Sequence, residues 1–243
     1  MHKITKQDGT DRVLWCADDA LVLKLLTMAL QPVLPVHRAC VHIKGHGGGK
    51  QSVATLHHKL ASGQYRFVCR TDVRGYYANI QKQPLLERLA QYVDCPIVLG
   101  LLKQFLYYSV ESGGLFHTPQ KGIPRSCSLS PLLAGFQLYE LDCALHNWSQ
   151  KTGNHYVRYM DDFFILARTR GQLRCAVRTL NQSFNSMGLS STPTKPLLAG
   201  CKRASTGWAT SLPKKGSAAW RREPYLISQP NAASVMHRLS SKV

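Results

Sequence analysis

Two carboxylates stand side by side in "RYMDDFFI" (158–165), Asp161 and Asp162, and a third, Asp72, closes the run "YRFVCRTDV" (65–73). Both segments are rich in Val, Ile, Tyr and Phe, the residues of half-buried strands, where charge is normally excluded. Adjacent like charges in such a setting cost several kcal/mol unless something positive offsets them. Carboxylates brought together from two strands beside a turn would make a hard-oxygen site for paired Mg²⁺. Such ions stabilise the attacking 3′-oxygen and the leaving pyrophosphate of an in-line displacement. Their charge would also offset the repulsion. Asp18 and Asp19 are adjacent too, but they open a helical run where carboxylates complement the positive end of the dipole.

The elements that must hold these groups can be read from periodicity. "ADDALVLKLLTMAL" predicts a helix whose apolar face is Leu21, Leu25, Met28 and Leu30. "YRFVCRTDV" predicts a strand; "QPLLERLAQYV" and "PIVLGLLKQFLYYSV" predict helices. "SLSPLLAGFQLYELDCALHNW" predicts one long helix, with Ser130 as cap, Pro131 in its first turn and a seam of Leu138, Leu141, Leu145 and Trp148. A two-residue turn at Asp161 and Asp162 joins "HYVRYM" to "FFILA". "GQLRCAVRTLNQSFNSMGL" predicts a final helix stopped by Gly188. The order β–αα–α–ββ–α, without repeats, predicts an α+β domain.

Charge narrows the partner. The 243 residues carry 31 Lys+Arg against 13 Asp+Glu, a net +18, with 44% hydrophobic content sufficient for a core. After Asp162 the only acidic residue is Glu223, while Arg168, Arg174, Lys202, Lys214, Lys215, Arg221 and Arg222 interleave with Trp208, Trp220 and Tyr225. Cations alternating with aromatic rings form a nucleic-acid groove. No apolar run is long enough to span a bilayer, so no membrane partner is expected. Eight scattered cysteines without C-x-x-C predict reduced thiols and a cytoplasmic setting. "KGHGGGKQS" (44–52) is not a P-loop, because Lys44 replaces the first glycine and Gln51 the hydroxyl residue. It predicts a flexible basic loop whose Lys44 and Lys50 meet a template or RNA backbone.

These motifs, in this order, resemble a reverse transcriptase of the bacterial group II intron-like class, which includes retron and defence-associated enzymes. "YMDD" (159–162) resembles the family's Tyr-x-Asp-Asp box and "TDVRGYYANI" its first catalytic motif. "KGIPRSCSLSPLLAGFQLYELD" (121–142) resembles the loop and helix that support template and nucleotide. "KQDGTDRVL" resembles the fingers segment that grips the triphosphate, "GLSSTPTKPLL" the lysine motif, and "STGWATS" the primer-grip turn. The family's Pro-Gln-Gly reads Pro124-Arg125-Ser126 here.

The resemblance implies a right-hand polymerase fold: fingers at 1–71 with part of 85–120, a palm at 72–84 and 121–200, and a primer-grip and short thumb-like segment at 201–243. It implies an RNA-templated DNA polymerase using two Mg²⁺ ions, with Mn²⁺ as a substitute. Its partners would be dNTPs, a DNA primer or product and a template or non-coding RNA, and a second subunit or bound RNA would take over the thumb's work. Catalytic and metal positions would be Asp72, Val73, Asp161 and Asp162, with Lys195 protonating pyrophosphate. Lys6, Arg12, Tyr76 and Tyr77 would meet the nucleotide. Lys44, Lys50, Lys121, Pro124, Arg125, Ser126, Gly207, Trp208, Lys214, Lys215, Arg221 and Arg222 would meet template and primer. If 76–77 continues the strand, alternation puts one tyrosine in the core and the other, Tyr77, under the sugar, where its ring excludes a 2′-hydroxyl. Two other functions stay open: an RNA-templated RNA polymerase or template-independent transferase on the same palm, and a non-catalytic RNA-binding palm.

Overall fold

The computed structural model describes residues 2–5, 11–191, 198–199 and 226–227. Strands β1 (His2–Thr5) and β2 (Asp11–Leu14) precede helices α1 (Ala17–Leu30) and α2 (Gly48–Ala61). Then come β3 (Phe67–Asp72), a single helical turn α3 (Tyr76–Asn79), α4 (Lys82–Leu89) and α5 (Pro96–Leu106). The hairpin β4 (Val110–Ser112) and β5 (Leu115–His117) leads to α6 (Leu129–Gln137) and α7 (Tyr139–Thr152). Strands β6 (His155–Tyr159) and β7 (Asp162–Ala167) and helix α8 (Arg170–Ser186) follow, with the two-residue strands β8 (Leu198–Ala199) and β9 (Leu226–Ile227).

The central sheet has the order β3-β7-β6, antiparallel throughout. Its two faces bury different cores. Cys69, Phe163, Ile165, Ala167 and Tyr156 point into the main core with Leu141 and Leu145 of α7 and Leu173, Leu180 and Phe184 of α8. Val68, Val157, Phe164 and Leu166 form a second core with Val41, Tyr65 and Leu56 of α2. Burial on both faces explains why β7 reads as a continuous apolar run rather than an alternating one. A second sheet, β2-β1-β4-β5, pairs β1 with β4 in parallel and each hairpin antiparallel.

The α+β order holds, with three corrections. Helix α1 has the expected span, but of the face read as core only Leu30 is buried, beside Leu23 and Leu26, while Leu21, Leu25 and Met28 are 57–61% exposed. The long helix is two, α6 and α7, broken at Leu138; Ser130 lies inside α6 and donates its hydroxyl to the Pro124 carbonyl. The glycine stretch is not a loop throughout: Gly47, at φ +97°, starts α2, which carries Lys50. Helix α8 is opened by a capping box between Thr169 and Gln172, and Gly188 at φ +65° follows its end.

A buried ion pair ties α7 to β6. Arg158 Nε donates to Asp142 Oδ1 at 2.8 Å, both side chains are fully buried, and Tyr156 Oη donates to the same carboxylate oxygen at 2.5 Å. Asp142→Ala strands a buried guanidinium and is expected to cost about 3–5 kcal/mol in denaturant unfolding. A second constraint lies at Gly122, whose φ is +87° and where a Cβ would sit 2.9 Å from the Ala78 backbone. Gly122→Ala is expected to destabilise by about 2–4 kcal/mol, from left-handed strain plus overpacking, read as a lowered denaturant midpoint.

Candidate active site

Register brings the carboxylates together. In the β3–β7 ladder Asp72 lies directly opposite Asp162, and in β6–β7 Tyr159 lies opposite Asp162. The two-residue turn lies one position earlier than the sequence suggests: Met160 and Asp161 connect the strands while Asp162 already opens β7, and Met160 has φ +51°, a left-handed conformation unusual for a non-glycine residue. The Val73 amide donates to the Asp161 carbonyl at 3.2 Å, so the turn is stitched to the end of β3. Asp162 is 3% exposed; Asp72 and Asp161 are partly exposed at the sheet end.

Like charges opposite one another in a ladder repel. Arg70, two residues before Asp72 and therefore on the same face of β3, donates to Asp162 Oδ1 from Nη2 at 3.0 Å and Nε at 3.3 Å. Its guanidinium also lies 5.5 Å from the Phe164 ring centre. The sequence reading assigned the offsetting charge to metal alone and missed this arginine. The signal was available in the alternation: within "FVCRTDV" Arg70 and Asp72 share a face.

A second group holds the turn itself. The backbone of Met160 is gripped at both polar atoms: Arg158 Nη1 donates to its carbonyl at 2.7 Å, and its N–H donates to His42 Nδ1 at 3.1 Å. His42 Nε2 reaches the Pro131 carbonyl at 3.2 Å. Burial, with Arg158 adding to it, lowers the His42 pKa to about 4. Neither His42 nor Arg158 was selected from the sequence. An arginine inside a strand was the visible clue to one; nothing local pointed to the other.

The tyrosine pair is not on a strand. Gly75, at φ +56°, turns the chain into α3, and the two rings separate on a helical turn instead. Tyr76 is fully buried and its hydroxyl donates to the Ala134 carbonyl at 2.8 Å, so it is a core residue and not the nucleotide contact that the resemblance implies. Tyr77 lies beneath Arg125, whose guanidinium is 5.6 Å from its ring centre. Its phenol pKa is pushed well up, by burial first and by the Asp161 charge second. The segment carrying Arg125 docks on α3 through Gly122 N–H to Ile80 O and Ile123 N–H to Tyr77 O, both 2.8 Å. Tyr77, Arg125 and the Asp161 turn therefore share one neighbourhood.

Other expected residues scatter. Lys121, Arg125 and Ser126 are exposed and Pro124 is buried; Lys44 and Lys50 are exposed beside and within the start of α2. Arg12 sits in β2 opposite Ile4, with its side chain outside the description. Lys6, Lys195, Gly207, Trp208, Lys214, Lys215, Arg221 and Arg222 lie outside the described residues. Among the described residues no three His, Cys, Asp or Glu side chains form a ready-made metal cage. The donor set nevertheless fits Mg²⁺: Asp72 and Asp161 are hard oxygen donors partly open to solvent. Mg²⁺ commonly takes only one or two protein carboxylates and completes its shell with water and substrate phosphate.

Comparison with known proteins accords with this arrangement. Residues 4–203 match the family described as Reverse transcriptase (RNA-dependent DNA polymerase). Protein YkfC of Escherichia coli (strain K12) is 21% identical over 195 residues, which cover 64% of this chain and 50% of that protein. The chain thus spans about half the length of that curated relative. Telomerase from Candida albicans, solved with the TWJ fragment of telomeric RNA, superposes with a TM-score of 0.57 at 12% identity, over 78% of this chain and 35% of that one. Apo telomerase from Candida tropicalis gives 0.52 at 12% identity, over 72% and 35%. The shared architecture is the right-hand polymerase fold, and the chain belongs to the reverse transcriptase (RNA-dependent DNA polymerase) family.

Proposed function

We propose that this chain extends a DNA primer on an RNA template, adding dNTPs at the end of the β3-β7-β6 sheet. The observation that carries the reading is the register of Asp72 against Asp162 with Asp161 in the turn between strands. Asp72 and Asp161, with Val73 and Asp162 beside them, would hold two Mg²⁺ ions. When bound, such ions supply Lewis-acid stabilisation of the attacking 3′-oxygen and the departing pyrophosphate. The protein's own part is positioning. Val73 N–H and Arg158 fix the main chain on either side of Asp161, and Arg70 restrains Asp162. Tyr77 forms a steric floor for the sugar, and Arg125 replaces the family's amide with a cation on that floor.

In this reading 1–71 with part of 85–120 acts as fingers, 72–84 and 121–200 as palm, and 201–243 as the primer-grip segment. Arg12 and Lys6 grip triphosphate, and Lys195 protonates pyrophosphate. An RNA partner is supported by the net charge of +18 and by the telomerase neighbour having been solved with RNA. The bacterial retroelement or antiviral defence setting rests on the motif resemblance, as does the choice of Mg²⁺ over Mn²⁺.

Asp72→Asn and Asp161→Asn are each expected to abolish Mg²⁺-dependent primer extension while leaving a folded protein, since each removes one charge from a repulsive pair or cluster. Extension assays beside circular dichroism check both halves, and an active Asp161→Asn protein would overturn the assignment. Sugar choice tests the floor. Tyr77→Val is expected to raise rNTP relative to dNTP incorporation by about ten- to a hundred-fold. Tyr76→Phe, which loses only a core hydrogen bond, should leave that ratio alone. A wild type that prefers rNTPs would move the function to RNA synthesis on the same palm.

A further inference from the structure

We propose that His42 is a positioning residue: as the neutral Nε2–H tautomer it locks the Met160–Asp161 turn to the start of α6. The inference rests on the reading of that turn as the metal-binding turn of a polymerase.

The tautomer follows from hydrogen-bond logic. The Met160 amide can only donate, so Nδ1, 3.1 Å away, must be the acceptor. The ring's single proton then lies on Nε2, where the Pro131 carbonyl, which can only accept, waits at 3.2 Å. A doubly protonated ring would set N–H against N–H at Met160. Burial favours the neutral ring, and the nearby Arg158 cation adds to it.

The location gives the tautomer its consequence. Met160 is the one non-glycine residue with positive φ among the described residues, a state that costs about 1–3 kcal/mol and persists only when surroundings over-determine it. His42 and Arg158 take the two backbone polar groups of that residue, one each. Releasing the amide lets φ relax, and Asp161 is the next residue along. The anchor is firm on its own side. Val41 N–H donates to Arg158 O at 2.9 Å and Arg158 N–H to Ala39 O at 2.8 Å, so residues 39–41 run along β6. The imidazole edge packs on Tyr159 with ring centres 6.1 Å apart. On the far side Pro131 belongs to α6, whose Ser130 bonds back to Pro124, next to Arg125. One ring thus links the carboxylate turn to the segment whose Arg125 lies over Tyr77.

Three measurements on the full chain test this. In His42→Phe, which keeps a ring and loses the bonds to Met160 and Pro131 and the contact of Nδ1 with Cys40 Sγ, kcat for primer extension should fall by about ten- to a hundred-fold. KM for dNTP and affinity for a template–primer duplex should stay within about two-fold, because neither binding surface is touched. Amide exchange at Met160 should accelerate by about ten-fold or more, reflecting the lost bond. His42→Asn, whose side-chain oxygen can take the Nδ1 role, should recover most of the kcat. In the wild type, nitrogen-15 shifts of His42 should show a protonated Nε2 and a bare Nδ1. A folded His42→Phe protein with wild-type kcat, a loss confined to KM, or an Nδ1–H tautomer would each overturn the proposal. If His42→Phe does not fold, the wild-type tautomer and His42→Asn kinetics decide it. A wild type without metal-dependent extension would instead sink the functional reading, and the tautomer and amide exchange would still test the clamp.

Discussion

Two negative charges, Asp72 and Asp162, are held opposite each other by strand register, and the rest of the molecule is arranged around keeping them there. A slip of one residue would turn Asp162 into the main core and bring Phe163 out to the open end. The sheet resists that slip because each face is committed to a separate apolar cluster, one under α2 and one against α7 and α8.

Around this constraint the supports come from distant parts of the chain. Arg70 arrives from β3 itself, Arg158 from β6, His42 from the stretch before α2, and Asp142 from α7. Each acts on a different atom of the same few residues. The arrangement is directional: Asp142 orients Arg158 by two hydrogen bonds, and Arg158 spends its remaining Nη1 donor on the Met160 carbonyl. A carboxylate deep in the main core thereby shapes the turn that follows β6. Catalytic geometry in this reading is a product of the core.

Local pattern was enough for the β3, β6 and β7 strands and the approximate limits of α1 and α8, and it placed the two-residue turn one position late. It failed where a choice depended on neighbours. Helix α1 is apolar nearly all round, so spacing alone offers both the Leu21–Leu25–Met28 and the Leu23–Leu26–Leu30 faces, and α6 selects the second. Aromatic residues suggested a strand at 76–77, but Gly75 adopts a left-handed conformation and starts a helical turn. The second sheet escaped notice because its strands are three or four residues long and join β1 to β4 across a hundred residues of sequence. The carboxylates themselves were legible, since charge inside apolar strands is anomalous on its face. Their partners were not, because the hydrogen bond that the Met160 amide donates to His42 spans 118 positions and leaves no periodic trace.

Arg70 also bears on how such a protein comes into being. A carboxylate cluster that depended on divalent cations for charge balance would tie folding to the local supply of those ions. With Arg70 bonded to Asp162, a counter-charge is encoded in the chain, on the strand that must pair with the aspartate's own. The β3–β7 ladder can therefore form with the Asp162 carboxylate already paired. Folding of the carboxylate pair then need not wait for a divalent cation.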